Sequence, residues 1–208
     1  MEAKQQNRSG SDQPRNVEIQ NHAVILSEAI WQLQNHQIYV CWENPEAGSR
    51  ADENAVRTQI ENTWARHSSL RFTGWQKCAQ VNRGIRILIE DSGPHTKGLG
   101  RTLDGVPNGM VLNFTFKNWS PSCRSMREYC ISSIAVHEFG HALGFAHEQN
   151  SPKAPGECQL RKQGSDGDLL LTPYDPSSVM NYCNQKYNND GNLSVLDIEA
   201  IQTLYGMP

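Results

Sequence analysis

The chain has 208 residues, 37% hydrophobic and 20% charged, with a formal net charge of −3, enough for one compact domain with a polar tail. So small a charge, with no Lys/Arg cluster interleaved with aromatics, argues against a polyanion partner, and neither DNA nor RNA is expected. No apolar run approaches the roughly 18 residues of a membrane span, and the polar start MEAKQQNRSGSDQPRN lacks the apolar centre of a signal peptide, so no membrane partner is expected.

Six cysteines, at positions 41, 78, 123, 130, 158 and 183, form no C-x-x-C pair. An even number spread through loop-like sequence predicts three disulfides and an oxidising compartment rather than six reduced, buried thiols. Proximity along the chain favours Cys41 with Cys78, Cys123 with Cys130 and Cys158 with Cys183. Each bridge would stabilise the fold by about 2 to 4 kcal/mol, mostly by restricting the unfolded chain. Such bridges imply a secreted, extracellular protein whose signal peptide is absent from this sequence.

Residues 1–16 are rich in Gln, Asn, Ser and Arg without periodicity and read as a flexible tail. The amphipathic piece VEIQNHAVILSEAIWQLQN follows, either packed on the domain or left from a pro-segment. QIYVCWE (37–43), closed by Asn44-Pro45, predicts a first strand. Asp52 can cap a helix running to about residue 67, with Val56, Ile60 and Trp64 on one face. SLRFTGW (69–75) and GIRILIED (84–91) predict two more strands, the second with Ile85, Ile87 and Ile89 alternating with Arg86, Leu88 and Glu90. Gly/Pro-rich residues 92–109 read as a long surface loop and GMVLNFTF (109–116) as a fourth strand. A helix from 127 or 131 through 143, an irregular stretch to 178 and a last helix complete the chain. That last helix is clearly marked: Ser194 as N-cap, Asp197 at N3, Ile198, Ile201 and Leu204 on the apolar face, and Gly206 as the stop.

The stretch HEFGHALGFAHE (137–148) places three histidines and two glutamates in the most apolar segment. Burying a neutral polar group without a partner costs roughly 2 to 7 kcal/mol, so these groups need something to hold, and a metal ion suits them. His137 and His141 are four apart, so on a helix they share one face with roughly 5 to 6 Å between their Cβ atoms. Zinc binds neutral imidazole at about 2.0 to 2.1 Å, and its catalytic sites combine three protein ligands with an open position. His147, six residues beyond His141, would on a continuous helix be turned about 240° away and about 9 Å along the axis. The helix must therefore break, and Gly144 can take the left-handed conformation that ends it. Glu138 cannot be a fourth ligand on the same face, but it can reach a water at the metal. Zinc lowers the pKa of that water from about 15.7 towards about 7. A carboxylate beside it can take the proton and pass it to a leaving amine, a role worth about 10² to 10⁴ in rate. A lone HExxH is weak evidence; the extended H-E-x-x-H-x-x-G-x-x-H is far more specific.

With His137, Glu138, His141, Gly144 and His147 in place, the chain resembles the metzincin zinc endopeptidases. SVMNY (178–182) lies about 30 residues on, where that family places its methionine turn. The resemblance implies Met180 as a hydrophobic floor beneath the zinc, against the plainer reading of Met as a gap-filler. Glu148, YDPSSVMNY and Tyr182 are similar to astacins. In that likeness Tyr182 is an extra, displaceable zinc ligand that turns to hydrogen-bond the oxyanion, a donor worth roughly 2.7 to 4 kcal/mol; the plainer reading is a packed tyrosine. LSVLDIEAIQTLYG resembles the last helix of matrixins. Departures exist: QNSPK after Glu148 lacks the arginine and aspartates of astacins, which leaves the job of Glu148 open. Residues 92–109 offer only His95 and Asp104 as possible ligands, so no structural second metal is expected.

The resemblance covers about residues 31–206 and implies an α+β, metzincin-like zincin fold: a twisted mixed sheet with an antiparallel edge strand, an active-site helix and a C-terminal helix. VLNFTF would be the strand edging the cleft, pairing antiparallel with an extended polypeptide substrate. Residues 1–30 would be a flexible tail or residual pro-segment and 31–208 the catalytic domain. The expected function is a zinc-dependent endopeptidase, a monomer that takes Zn2+ and cuts extended polypeptides through a zinc-bound water activated by Glu138. The alternatives are a catalytically inactive zinc-binding module, against which the intact Glu138 stands, and a zinc hydrolase of small amides. Residues 1–40 contain no cysteine, so a cysteine-switch mode of latency is not expected of this chain. Substrate preference is not legible, the pocket walls being expected from the irregular 149–178 segment.

Overall fold

A computed structural model describes residues 23–79 and 83–208; residues 1–22, with most of the expected tail, lie outside the described residues. The described chain runs β1 (Val24–Ile25), β2 (Gln37–Trp42), α1 (Arg50–Ile60), β3 (Arg71–Lys77), β4 (Ile85–Ile89), β5 (His95–Thr96), β6 (Met110–Leu112), α2 (Pro121–Ser125), α3 (Arg127–Ala142), α4 (Gly156–Gln159), β7 (Leu169–Leu170) and α5 (Val195–Tyr205).

Five strands form one mixed sheet in the order β3-β2-β4-β6-β5, with β5 antiparallel to β6 and the other pairs parallel. Ile38, Val40, Cys41 and Trp42 are all buried on β2, as expected of a parallel strand covered on both faces. Helix α3 packs on this layer through Phe139, whose ring stacks on Trp75 at 5.8 Å and meets Phe72 edge-on at 5.5 Å. The end of α1 widens into a π-type turn over Glu61–Ala65, from which the Trp64 indole donates to the Val136 carbonyl at 2.9 Å and docks the two helices together.

The twisted mixed sheet with an antiparallel edge, the active-site helix and the C-terminal helix are all present, but the edge strand is not the expected one. β6 stops at Leu112 because the Asn113 side chain accepts from the Thr115 and Phe116 amides, turning the chain and sending Phe114 and Phe116 into the core. The edge belongs to β5, taken from within the expected loop, with His95 opposite Val111 and Thr96 opposite Met110. Two residues between glycines and prolines are too few to show a strand period in sequence.

Two further boundaries move. Ser49, not Asp52, caps α1: its hydroxyl accepts from the Asp52 amide, while the Asp52 carboxylate pairs with Arg127 on α3. The packed unit also starts earlier than residue 31. β1 pairs antiparallel with β7, Ile25 and Ala29 are fully buried, and the Trp31 indole donates to the Ala142 carbonyl at 2.7 Å. Apolar Ala23, Val24 and Ile25 gain more by burial than a polar tail could. At the other end the capping box of Ser194 with Asp197 and the stop at Gly206 are as expected.

The three disulfides are Cys41–Cys78, Cys123–Cys130 and Cys158–Cys183, the pairs expected from proximity. They tie β2 to the end of β3, α2 to α3, and α4 to the segment following Met180.

Candidate metal centre and cleft

Helix α3 ends at Ala142, one residue after His141. Gly144 takes φ of +102°, its amide closes on the His141 carbonyl, and the Phe145 amide bonds the Gly140 carbonyl at 3.0 Å. The chain then runs extended against β1: Leu26 donates to the Gly144 carbonyl, Ala146 donates to the Val24 carbonyl, and Ile25 bridges Phe145. Residues assigned from sequence to the tail thus return His147 to the face of α3.

His137, His141 and His147 converge there, all buried, with their ligand atoms within 4.8 Å of one another. His147 Nε2 lies 3.3 Å from His137 Nε2 and 3.1 Å from His141 Nε2. Each Nδ1 faces a backbone carbonyl: Val179 at 2.8 Å from His137, Phe145 at 2.8 Å from His141, and Gln163 at 2.9 Å from His147. A carbonyl only accepts, so each Nδ1 keeps its hydrogen and each neutral ring turns the Nε2 lone pair inward. Burial, followed by the neighbouring His147, holds the His137 pKa down to about 3, and burial depresses His141 and His147 likewise. Three inward lone pairs repel one another unless a cation sits between them. Tetrahedral zinc with ligands at about 2.0 to 2.1 Å would set the nitrogens about 3.3 to 3.4 Å apart, close to the two separations observed.

Glu138 is buried beside this cluster, and its Oε2 has no hydrogen-bond partner. Burial pushes its pKa up to about 8; a cation held by the histidines acts in the opposite direction. The unpartnered oxygen fits a site that takes up a water or substrate group.

Met180 is buried under α3, and a Cβ on Gly140 would overlap its sulfur, so the helix and the methionine touch only because residue 140 is glycine. The Tyr182 ring lies parallel to His137 at 5.1 Å and 4.5 Å from the His147 ring. Its amide donates to Gln149 Oε1 and its carbonyl accepts from Arg161. Burial and the nearby Glu138 hold the phenol proton more tightly than usual. Glu148, whose job sequence left open, is buried, accepts the Asp175 amide at 2.8 Å and is raised to about 9 by burial. It ties the chain after His147 to the segment leading into Met180.

Two cavities flank the histidines, of about 700 Å³ and about 260 Å³, and share Pro94, Glu138, Gln163 and Tyr182. Together they form a groove across the metal centre, with β5 along the smaller one. The walls of the larger come from residues 119–130, Ile134, Tyr187 and Asn188, and only Gln163 from the 149–178 segment expected to supply them. Sequence reasoning missed Gly140, the carbonyls of Val179 and Gln163, and β5. A glycine within the helix was the one signal available, since carbonyl directions leave no trace in residue type.

No family profile matches the chain. It is 37% identical over 71 residues to "Zinc metalloproteinase nas-30" of Caenorhabditis elegans, covering 27% of this chain and 10% of that protein. It is 26% identical over 186 residues to the interstitial collagenase of Bos taurus, covering 80% of this chain and 33% of that one. The chain therefore spans a third or less of the length of these two curated relatives. Among solved structures, myroilysin superposes with a TM-score of 0.60 at 18% identity, over 89% of this chain and 99% of that one. The ion that three convergent imidazoles of this kind take is zinc. The chain has the fold of the metzincin zinc metalloproteinases and carries their histidine motif, with an astacin-like and a matrixin relative among the sequences it resembles.

Proposed function

We propose that this chain is a zinc-dependent endopeptidase acting on extended polypeptides. The observation that carries the reading is the buried, unpartnered Glu138 carboxyl beside three histidines whose Nε2 atoms face one another. His137, His141 and His147 would hold the zinc, with Met180 packed beneath them as a floor. When bound, zinc polarises the scissile carbonyl and makes water a far stronger acid. Glu138 takes the proton from the attacking water and delivers it to the amine nitrogen as the C–N bond breaks. The Tyr182 hydroxyl donates to the oxygen that gains negative charge, and the Gln149 and Arg161 contacts to its backbone fix where that ring can move. The groove through both cavities and the free edge of β5 suit an extended chain more than a small amide.

Residues 23–208 are the catalytic unit in this proposal, working as a secreted monomer with no nucleic-acid or membrane partner. The three disulfides favour an oxidising compartment, and no helix among the described residues is long and apolar enough to cross a membrane. The test is casein clearance by the zinc-loaded protein. Wild type should clear casein, Glu138→Ala should lose about 10² to 10⁴ in rate with zinc retained, and Tyr182→Phe should lose about 10² to 10³ in kcat. A Glu138→Ala variant that still clears casein at the wild-type rate removes the mechanism.

A further inference from the structure

We propose that residues 158–163 form a strap that positions Tyr182 and His147 as one unit, fastened by the Cys158–Cys183 disulfide, a proposal that rests on the peptidase reading above. Three anchors lie within these six residues. Cys158 is bridged to Cys183, the neighbour of Tyr182. Arg161 Nη1 donates to the Tyr182 carbonyl at 3.2 Å. The Gln163 carbonyl accepts from His147 Nδ1 at 2.9 Å and from the Asn150 side chain at 3.0 Å. One short stretch therefore holds both a metal-binding imidazole and the tyrosine ring that lies 4.5 Å from it, so a shift of the strap moves the two together.

Neither end of the strap has a regular element to hold it. The four-residue α4 is far too short to persist by itself, and residues 160–168 form neither helix nor strand. Leu160 is 88% exposed and brings no apolar anchor. The bridge fixes where this stretch sits. On the other side Tyr182 lies in an irregular segment, and its amide donates to Gln149 Oε1 at 3.1 Å. Gln149 is fully buried with its Nε2 unpartnered; turned over, it would set a donor against the Tyr182 amide, so its orientation is committed to that bond. Asn181 Oδ1 accepts the Cys183 amide at 2.9 Å and closes the turn that carries the cysteine.

Another bridge of the same chain gives the contrast. Cys41–Cys78 has a sequence separation of 37 against 25 for Cys158–Cys183, so loop entropy gives it at least an equal share in stability. It joins β2 to the end of β3, on the opposite side of the sheet from β5. A bridge that only stabilises would act like that one. A bridge that positions Tyr182 and His147 acts on zinc affinity and on turnover as well. Removing the partners that orient a metal ligand weakens binding, and an oxyanion donor out of place lowers kcat rather than raising KM.

The experiment compares a variant carrying Cys158→Ser and Cys183→Ser with one carrying Cys41→Ser and Cys78→Ser. In the purified chains, hydrogen exchange followed by mass spectrometry should quicken by about tenfold or more over residues 147–150 and 181–184 in the first variant only. Competition with a chromophoric chelator should show zinc bound about 10- to 100-fold more weakly in the first variant and unchanged in the second. On casein the first variant should lose about tenfold or more in kcat with KM within about twofold of wild type. Arg161→Ala, at an exposed position, should show the same changes in smaller measure, and Arg161→Lys, which keeps a donor for the Tyr182 carbonyl, should restore wild-type values. Equal effects of the two bridge variants, or wild-type exchange over 147–150 in the first, overturns the strap. If the first variant does not fold, wild-type exchange and zinc affinity in Arg161→Ala overturn it instead. If wild type binds zinc but cuts no casein, the peptidase reading falls, and exchange with zinc affinity still decides the strap.

Discussion

Asp197 accepts a hydrogen bond from the Val179 amide at 3.0 Å, and the carbonyl of the same Val179 receives His137 Nδ1 at 2.8 Å. The N3 residue of the α5 capping box therefore also sets the orientation of a metal-binding imidazole through the backbone of one residue. Ser178 Oγ and the Ser194 amide donate to the same carboxylate, at 2.7 Å and 2.9 Å.

Asp197→Ala removes the acceptor of all three bonds, since Oδ2 takes both the Val179 and the Ser194 amide and Oδ1 takes Ser178 Oγ. Partners of this kind govern metal affinity by about 10- to 100-fold when removed, and an unsatisfied buried donor costs about 1 to 3 kcal/mol. The variant should bind zinc more weakly by that factor in competition with a chromophoric chelator and lose at least that much stability in urea. Unchanged affinity would show that His137 does not depend on the Val179 carbonyl.

Ile25 tests the N-terminal boundary. It is fully buried and sits opposite Phe145, in the stretch that returns His147 to the site. Ile25→Ala should cost about 2 to 5 kcal/mol and should weaken zinc binding together with stability. A residue in a flexible tail would change neither.

Much of this was legible in sequence, and the parts that were not share a cause. His137, Glu138, His141 and the break at Gly144 follow from helical spacing and the conformational freedom of glycine, and Ser194 with Asp197 follows from cap chemistry. Sequence hid β5, which has two residues and owes its existence to β6 beside it. The amphipathic piece that holds β1 left packing on the domain as one of two readings, and its pairing with β7 across about 145 residues has no local signature. The larger cavity brings together residues near 120 and near 187, and that proximity depends on the tertiary path rather than on any local pattern.

The pair Glu43–Arg86 predicts an acid limb of stability. Arg86 Nε meets Glu43 Oε1 at 2.8 Å, Nη2 meets Oε2 at 2.9 Å, and the Asn108 amide adds a third bond. These contacts, Arg86 first, hold the Glu43 carboxyl below its ordinary value despite partial burial. A carboxyl depressed in the folded state contributes stability above its unfolded pKa of about 4.3, and the contribution fades as pH falls through the lower folded value. Glu43→Gln should therefore be less stable than wild type near neutrality, and the gap should close as pH drops below about 4 in urea titrations at stepped pH. A gap independent of pH would mean that the pair contributes through shape alone.

The most direct measurement is the metal content of the purified chain, by plasma mass spectrometry after dialysis, for wild type and His147→Ala. Convergence of the three imidazoles on one ion predicts one zinc per wild-type chain, and loss of that zinc in a variant that keeps its disulfides. A folded wild type that retains no zinc, and gains no thermal stability when zinc is added, would contradict it.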